Sequence, residues 1–338
     1  MKPILLLACL VPILTISAPA LEPSNPIDYS KLAFYPKRWK EQGFSTDLVP
    51  WKGKQIAFLT VTKDHDQEVM GKFVANLDAG WELYADLTGK TPRPHRVVDG
   101  KAPIAALLGN GLSCGYGCGY VGATGIEMTH FYDGHYPALK KDPNDVPHAY
   151  FYEMGRNYFT FGDKHNCFTT GFAVFMRYVC VDSLKTVDRD KGTRKVIDQA
   201  IEEYAKSDLP FLRTFTNVDG LSEKQNRLKT SPTDQPVMYA SAMLHLWKTL
   251  GDDWLKKFYR QLATVEGASN RTKEGAQTQC VAWYLAASCA AQKDLSAIFV
   301  DKWRLQVPEK ARGILTKTDW KAKDLKAGAL LKTCLQAD

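Results

Sequence analysis

The feature that most constrains this chain is a change of pattern at His148. Before it, short apolar runs typical of strands (Ile56 to Val61, Pro103 to Leu108, Gly125 to Tyr132) surround one long amphipathic helix from Glu68 to Thr88. After it, helical periodicity takes over almost completely, through Thr169 to Ser183, Thr193 to Lys206, Pro236 to Leu250, Asp253 to Thr264 and Gln277 to Ala290. No internal repeat and no low-complexity linker separates the halves. The pattern predicts an α+β protein, with a mixed α/β lobe over residues 56–147 packed on a mostly helical lobe over 148–338. The helix that begins at His148 would lie at their junction.

That junction helix carries the most informative motif. Residues 148 to 180 read HAYFYEMGRNYFTFGDKHNCFTTGFAVFMRYVC. A zinc helix presents His-Glu-x-x-His, because imidazoles at i and i+4 share one face and the Glu between them can polarise a metal-bound water. Here the window is Tyr152-Glu153-Met154-Gly155-Arg156. The glutamate is kept, but a phenol and a guanidinium stand at the ligand positions, and a guanidinium has no lone pair to give a metal.

The chain thus resembles the secreted gluzincin-like metallopeptidases, with a degenerate HExxH motif. Three further segments add to the resemblance: Ile56 to Val61 looks like the family's first strand, Glu68 to Thr88 followed by Gly89 like its backing helix, and Ala290 to Val307 like its closing segment. The resemblance implies a zincin-like fold with a cleft between the lobes, Glu153 as a vestigial general base, and a third zinc ligand expected where Cys167 to Gly171 stand. With three ligands replaced, it implies no cofactor; zinc is not favoured. The cleft residues to which it points are Tyr152, Arg156, Tyr158 and His148, with Gly119 and Gly122 from a glycine-rich run.

Read without the family, Glu153 and Arg156 at i and i+3 can pair on the helix and hold Tyr152 or Tyr158 in place. This structural pairing is the favoured account; a carboxylate beside a phenol could also carry acid/base chemistry. The glycine-rich run, GNGLSCGYGCGYVGATG from Gly109 to Gly125, lacks the Gly-Lys-Ser/Thr ending of a phosphate loop. It reads either as an extended edge segment that pairs with a substrate backbone or as a surface loop pinned by a disulfide. His130, Asp133, His135, His148, Asp163 and His165 cluster in sequence, yet no helical His-x-x-x-His pair occurs to anchor a displaced metal site.

The first residues have the layout of an export signal: Lys2, an apolar run from Ile4 to Ile16, and Ala18-Pro19-Ala20 as cleavage site. The reading is therefore a secreted protein, extracellular or periplasmic, with no membrane span. Residues 21–55 form a basic, aromatic segment, with Lys31, Lys37, Arg38, Lys40, Lys52 and Lys54 among Trp39, Phe44 and Trp51; it reads as an arm packing its aromatics on the domain. The net charge of +7 is a mild basic excess, and export together with the lack of any binding-module pattern argues against nucleic acid. Of eight cysteines, all but Cys9 follow Ala20. In an oxidising compartment the local pairs Cys114 with Cys118, Cys167 with Cys180 and Cys280 with Cys289 are expected, leaving Cys334 as an unpaired thiol or for a cross-link to another chain. Asn270-Arg271-Thr272 is a glycosylation sequon.

The expectation for function is a secreted, peptidase-derived pseudoenzyme that binds an extracellular peptide or glycan in its cleft. Two alternatives stay open: an active hydrolase with Glu153 as general base and unorthodox ligands, and a structural extracellular protein.

Overall fold

Five consecutive buried residues, Ile56–Thr60, form the central strand of the protein's sheet, and the rest of the mixed lobe is built around them. The structure is a computed structural model that describes residues 20–162, 166–216, 235–267 and 271–336. In chain order the strands are β1 (Ile27–Asp28), β2 (Asp47–Lys52), β3 (Ile56–Thr60), β4 (Ala102–Ala106), β5 (Gly117–Gly119) and β6 (Ile126–Met128). The sheet order is β1-β2-β3-β4-β6-β5. β3, β4 and β6 run parallel, while β1, β2 and the other edge strand β5 are antiparallel to their neighbours.

The α-helices are α1 (Pro36–Glu41), α2 (Gln67–Thr88), α3 (Tyr136–Leu139), α4 (His148–Tyr158), α5 (Thr169–Leu184), α6 (Lys191–Ala205), α7 (Phe211–Phe215), α8 (Gln235–Leu250), α9 (Asp252–Leu262), α10 (Lys273–Ala291), α11 (Glu309–Leu315) and α12 (Ala327–Gln336). The protein is α+β, as its pattern predicts. Residues 27–52, read as an arm, instead contribute β1, α1 and β2, and Trp39 and Trp51 are buried.

Helix α2 starts where the Asp66 carboxylate accepts the N–H groups of Glu68 and Val69, and it stops at Gly89, whose φ of 65° suits a residue without Cβ. Its buried stripe, Met70, Phe73, Leu77, Trp81 and Tyr84, follows the helical repeat and covers one face of the sheet. The same helix carries a buried carboxylate, Asp78, which accepts from the backbone N–H groups of Lys54, Gln55 and Ile56 and so fixes the turn entering β3. Against α2 lies α4, and against α4 lies α5. Gly155 is needed at the second contact: a Cβ there would sit 2.8 Å from the Ala173 backbone, so only glycine lets these helices approach so closely.

The cysteines depart from the sequence expectation. Cys114 and Cys118 are bonded, but Cys167, Cys180, Cys280 and Cys289 are buried thiols. Cys280 and Cys289 lie on one helix nine residues apart, about 13 Å along its axis, well beyond disulfide reach. Cys180 lies near the far end of α5 from Cys167, whose thiol instead meets that of Cys280. Cys334 is 2% exposed on the inner face of α12, so a cross-link to another chain would require that helix to lift away. No described helix is long and apolar enough to cross a membrane. Most of the leader (residues 1–19), Asp163, His165 and Asn270 of the sequon lie outside the described residues.

Candidate functional site

Helix α4 divides its residues between two environments. Tyr150, Phe151, Met154 and Tyr158 are buried in the core, with the Tyr158 hydroxyl donating to the Trp81 carbonyl at 2.9 Å. Ala149, Tyr152, Glu153 and Arg156, at the i, i+3, i+4 and i+7 spacing of one helical face, turn toward a cleft of about 640 Å³. Its opposite wall is β5 with the Cys114–Cys118 loop, and His135, His148, Arg177 and Arg189 complete it. A second cavity, between Phe161, Phe168, Tyr239 and Trp283, measures only about 30 Å³, room for roughly one water.

Glu153 is where the two walls touch. Built onto Gly117, a Cβ would lie 2.7 Å from Glu153 Oε1; built onto Gly119, it would lie 2.8 Å from the Glu153 backbone oxygen. The bare strand therefore rests directly on the helix and covers Glu153, a residue only 6% exposed. Burial pushes its pKa up to about 7, although the charge of Arg156 and a hydrogen bond donated by the Gly119 N–H both favour the carboxylate. Desolvation wins, and Glu153 titrates near neutrality.

Arg156 donates to Thr170 Oγ1 at 3.2 Å and bonds the Tyr152 phenol. It acts on Glu153 through space, so the tight ion pair expected on the helix is replaced by a link from α4 to the first turn of α5. Arg177, in the middle of that apolar helix, lies over the Tyr178 ring at 4.7 Å and donates to its hydroxyl at 3.0 Å. Its charge is felt by both His148 and Tyr152, with which it lines the cleft. Arg189 is paired with Asp145.

The two histidines of the cleft are neutral. His135 is held between Tyr116, 2.6 Å from its Nε2, and Tyr150, 2.9 Å from its Nδ1, and burial lowers its pKa to about 4. Burial, followed by the charge of Arg177, does the same to His148, whose Nε2 is 3.9 Å from Asp190. His130 faces Asp133 instead. Among the described residues no three His, Cys, Asp or Glu side chains gather to hold a metal ion. Tyr152, Arg156 and Thr170 offer two hydroxyls and a guanidinium, which has no lone pair to give a metal.

The structure thus brings together Tyr152, Glu153, Arg156, His148 and Gly119. Tyr158 does not join them: five residues beyond Glu153, it lies on the core face of α4. Gly122 is also outside the cleft; with φ 69° it turns the chain after β5 and donates its N–H to the Arg156 carbonyl at 3.0 Å. The sequence pattern singles out His135 only as a member of a His/Asp cluster and does not point to Arg177 or Arg189. Of the last two only Arg177 left a signal, as a lone cation in the apolar middle of α5.

No family model matches this chain, and no curated protein does. Its fold is similar to the crystal structure of a functionally unknown conserved protein mutant from Bacillus anthracis str. Ames, with a TM-score of 0.53 and 10% identity over 82% of this chain. The match takes in 54% of that structure, so the chain spans about half its length. At this identity the likeness concerns the fold alone.

Proposed function

We propose that the chain is an exported binding protein on a zincin-like scaffold whose zinc ligands have been replaced, and that the cleft between β5 and α4 takes an extended peptide. The observation that carries this reading is the contact of Glu153 with a glycine-bare, antiparallel edge strand, with Tyr152 and Arg156 at the neighbouring ligand positions. An edge strand leaves backbone groups free for a further strand. Tyr116 and Tyr120 bond toward β6, so the alternation along a strand turns the groups of Gly117 and Gly119 outward; the Gly119 N–H is taken by Glu153, which leaves the groups of Gly117 and the Gly119 carbonyl for a further strand. The apolar leader and the Cys114–Cys118 bond support export.

Metal rescue tests the scaffold. Tyr152→His with Arg156→His restores two imidazoles but no third ligand, and adding Thr170→Glu supplies one from α5. Zinc affinity, measured by competition with a chromophoric chelator, should rise more than about tenfold from the double to the triple variant. Equal affinities in two folded variants would overturn the zincin-like reading.

A second reading, a metal-independent hydrolase with Glu153 as proton carrier, draws on the pKa near 7, the range suited to acid/base work. Turnover of fluorogenic peptides that disappears in Glu153→Gln would establish it.

A further inference from the structure

Arginines around this cleft fall into two groups. Arg189 has Asp145, and Arg194, on the far side of the Tyr178 ring, has Asp182 and Asp198. Arg156 and Arg177 form no ion pair among the described residues; their partners are neutral hydroxyls, of Thr170 and Tyr152 for one and Tyr178 for the other. The Arg177 Nε and the His148 Nδ1 are buried without a partner. Both arginines are only partly buried and line the cleft, so their charges stay available to an anion that a ligand brings.

The two groups are also held in place. Stacking over Tyr178 orients Arg177, and the Thr170 hydroxyl orients Arg156, so little side-chain freedom remains to be lost on binding. Planar guanidinium forks match a carboxylate, which accepts two parallel N–H bonds from each. Tyr152 lies in the field of both charges, and its phenol can join them as a donor. The one acid that lines this part of the cleft, Glu153, is covered by β5 rather than presented to a ligand.

We infer that Arg156 and Arg177, which line the cleft together with Tyr152, form a receptor for a carboxylate carried by an extended peptide lying along β5. The inference rests on the peptide-cleft reading above and adds its specificity. A peptide is favoured over a glycan because β5 carries no side chains at Gly117 and Gly119 and offers outward backbone groups at Gly117 and the Gly119 carbonyl, a surface suited to another strand. The carboxylate can be the peptide's C-terminus or an Asp or Glu side chain.

Fluorescence anisotropy on the whole protein separates these cases, using three labelled hexapeptide mixtures: one with a free C-terminus and no acidic residue, one amidated with a fixed central Asp, and one amidated without acid. Either carboxylate-bearing mixture should bind about tenfold or more tightly than the neutral one, and Arg156→Gln or Arg177→Gln should abolish that advantage. Tighter binding of the first mixture assigns the terminal carboxylate, and of the second a side chain. Arg177→Lys, which keeps the charge, should retain part of the advantage, and Lys332→Gln on α12 all of it. Equal binding of all three mixtures would overturn the carboxylate inference while leaving the peptide cleft intact. If no peptide mixture binds and an oligogalacturonate does, the peptide reading itself falls.

Discussion

Replacing Glu153 by glutamine removes a titrating group that the fold holds in an unfavourable state above neutral pH. The carboxyl's pKa rises from 4.5 to about 7 on folding, so the folded chain holds its proton where the unfolded chain has released it. The stability associated with this group is therefore fully present below about pH 4.5 and is lost as pH rises through about 7. At about 1.36 kcal/mol per pH unit the full loss is roughly 3 kcal/mol, of which about 2.5 falls between pH 5 and pH 8. Glu153→Gln keeps the shape and the Gly119 hydrogen bond but cannot ionise. His135 and His148 work in the opposite direction: their lowered pKa values favour folding above about 6.5 and withdraw that support as pH falls toward about 4. In the wild type the two trends oppose each other. Urea unfolding at pH 5 and pH 8 should show Glu153→Gln gaining about 2 to 3 kcal/mol relative to wild type at the higher pH. The histidine contributions cancel in that difference. A relative gain below about 1 kcal/mol, or one that appears at the lower pH, would refute the claim that burial controls this carboxyl.

Two further substitutions test the geometry around it. Gly119→Ala puts a Cβ 2.8 Å from the Glu153 backbone oxygen, which cannot yield as a side chain could; thermal unfolding should show a loss of about 1–3 kcal/mol, accompanied by weaker peptide binding as β5 lifts from α4. Tyr158→Phe removes a hydroxyl bonded to the Trp81 carbonyl and should cost about 1 kcal/mol in stability while leaving peptide affinity unchanged, since the ring lies on the core face.

The helices were legible because their apolar residues recur with the helical repeat: the expected Pro236 to Leu250 is Gln235–Leu250 in the structure, and Glu68 to Thr88 is Gln67–Thr88. The sheet was legible only where strands are continuously apolar, as in β3. β2 carries Pro50, which has no N–H for a ladder and argues against a strand, and β5 is Gly-Cys-Gly, with little intrinsic strand preference. Both take their conformation from the neighbours with which they pair, which a local reading does not see. The cysteine pairs failed for a related reason. Nearness in sequence suggested Cys280 with Cys289, but a helix turns nine intervening steps into a distance that no disulfide spans. Glu153 and its flanking residues could be read from one helical turn. Arg177 could not, and His135 was legible only as one of a His/Asp cluster, because only the packing of α5 and of the segment before α3 against α4 brings them to the same cleft.

The site's two free arginines are not equivalent probes of its chemistry. Arg156 acts on Glu153 as well as on any ligand, since its charge is the larger of the two influences that hold the carboxyl's pKa down against burial. Removing that charge strips a cation from the cleft and at the same time pushes Glu153 further toward its neutral form. The first change weakens an incoming carboxylate, whereas the second removes part of a repulsion, so the net loss in Arg156→Gln understates what the guanidinium contributes. Arg177 has no such second role: its field reaches His148 and Tyr152, and His148 is already neutral near pH 7. Its replacement therefore measures the anion contact more directly. If the carboxylate does bridge both arginines, Arg177→Gln should cost at least as much affinity as Arg156→Gln, even though Arg156 stands beside the glutamate that first drew attention to the helix.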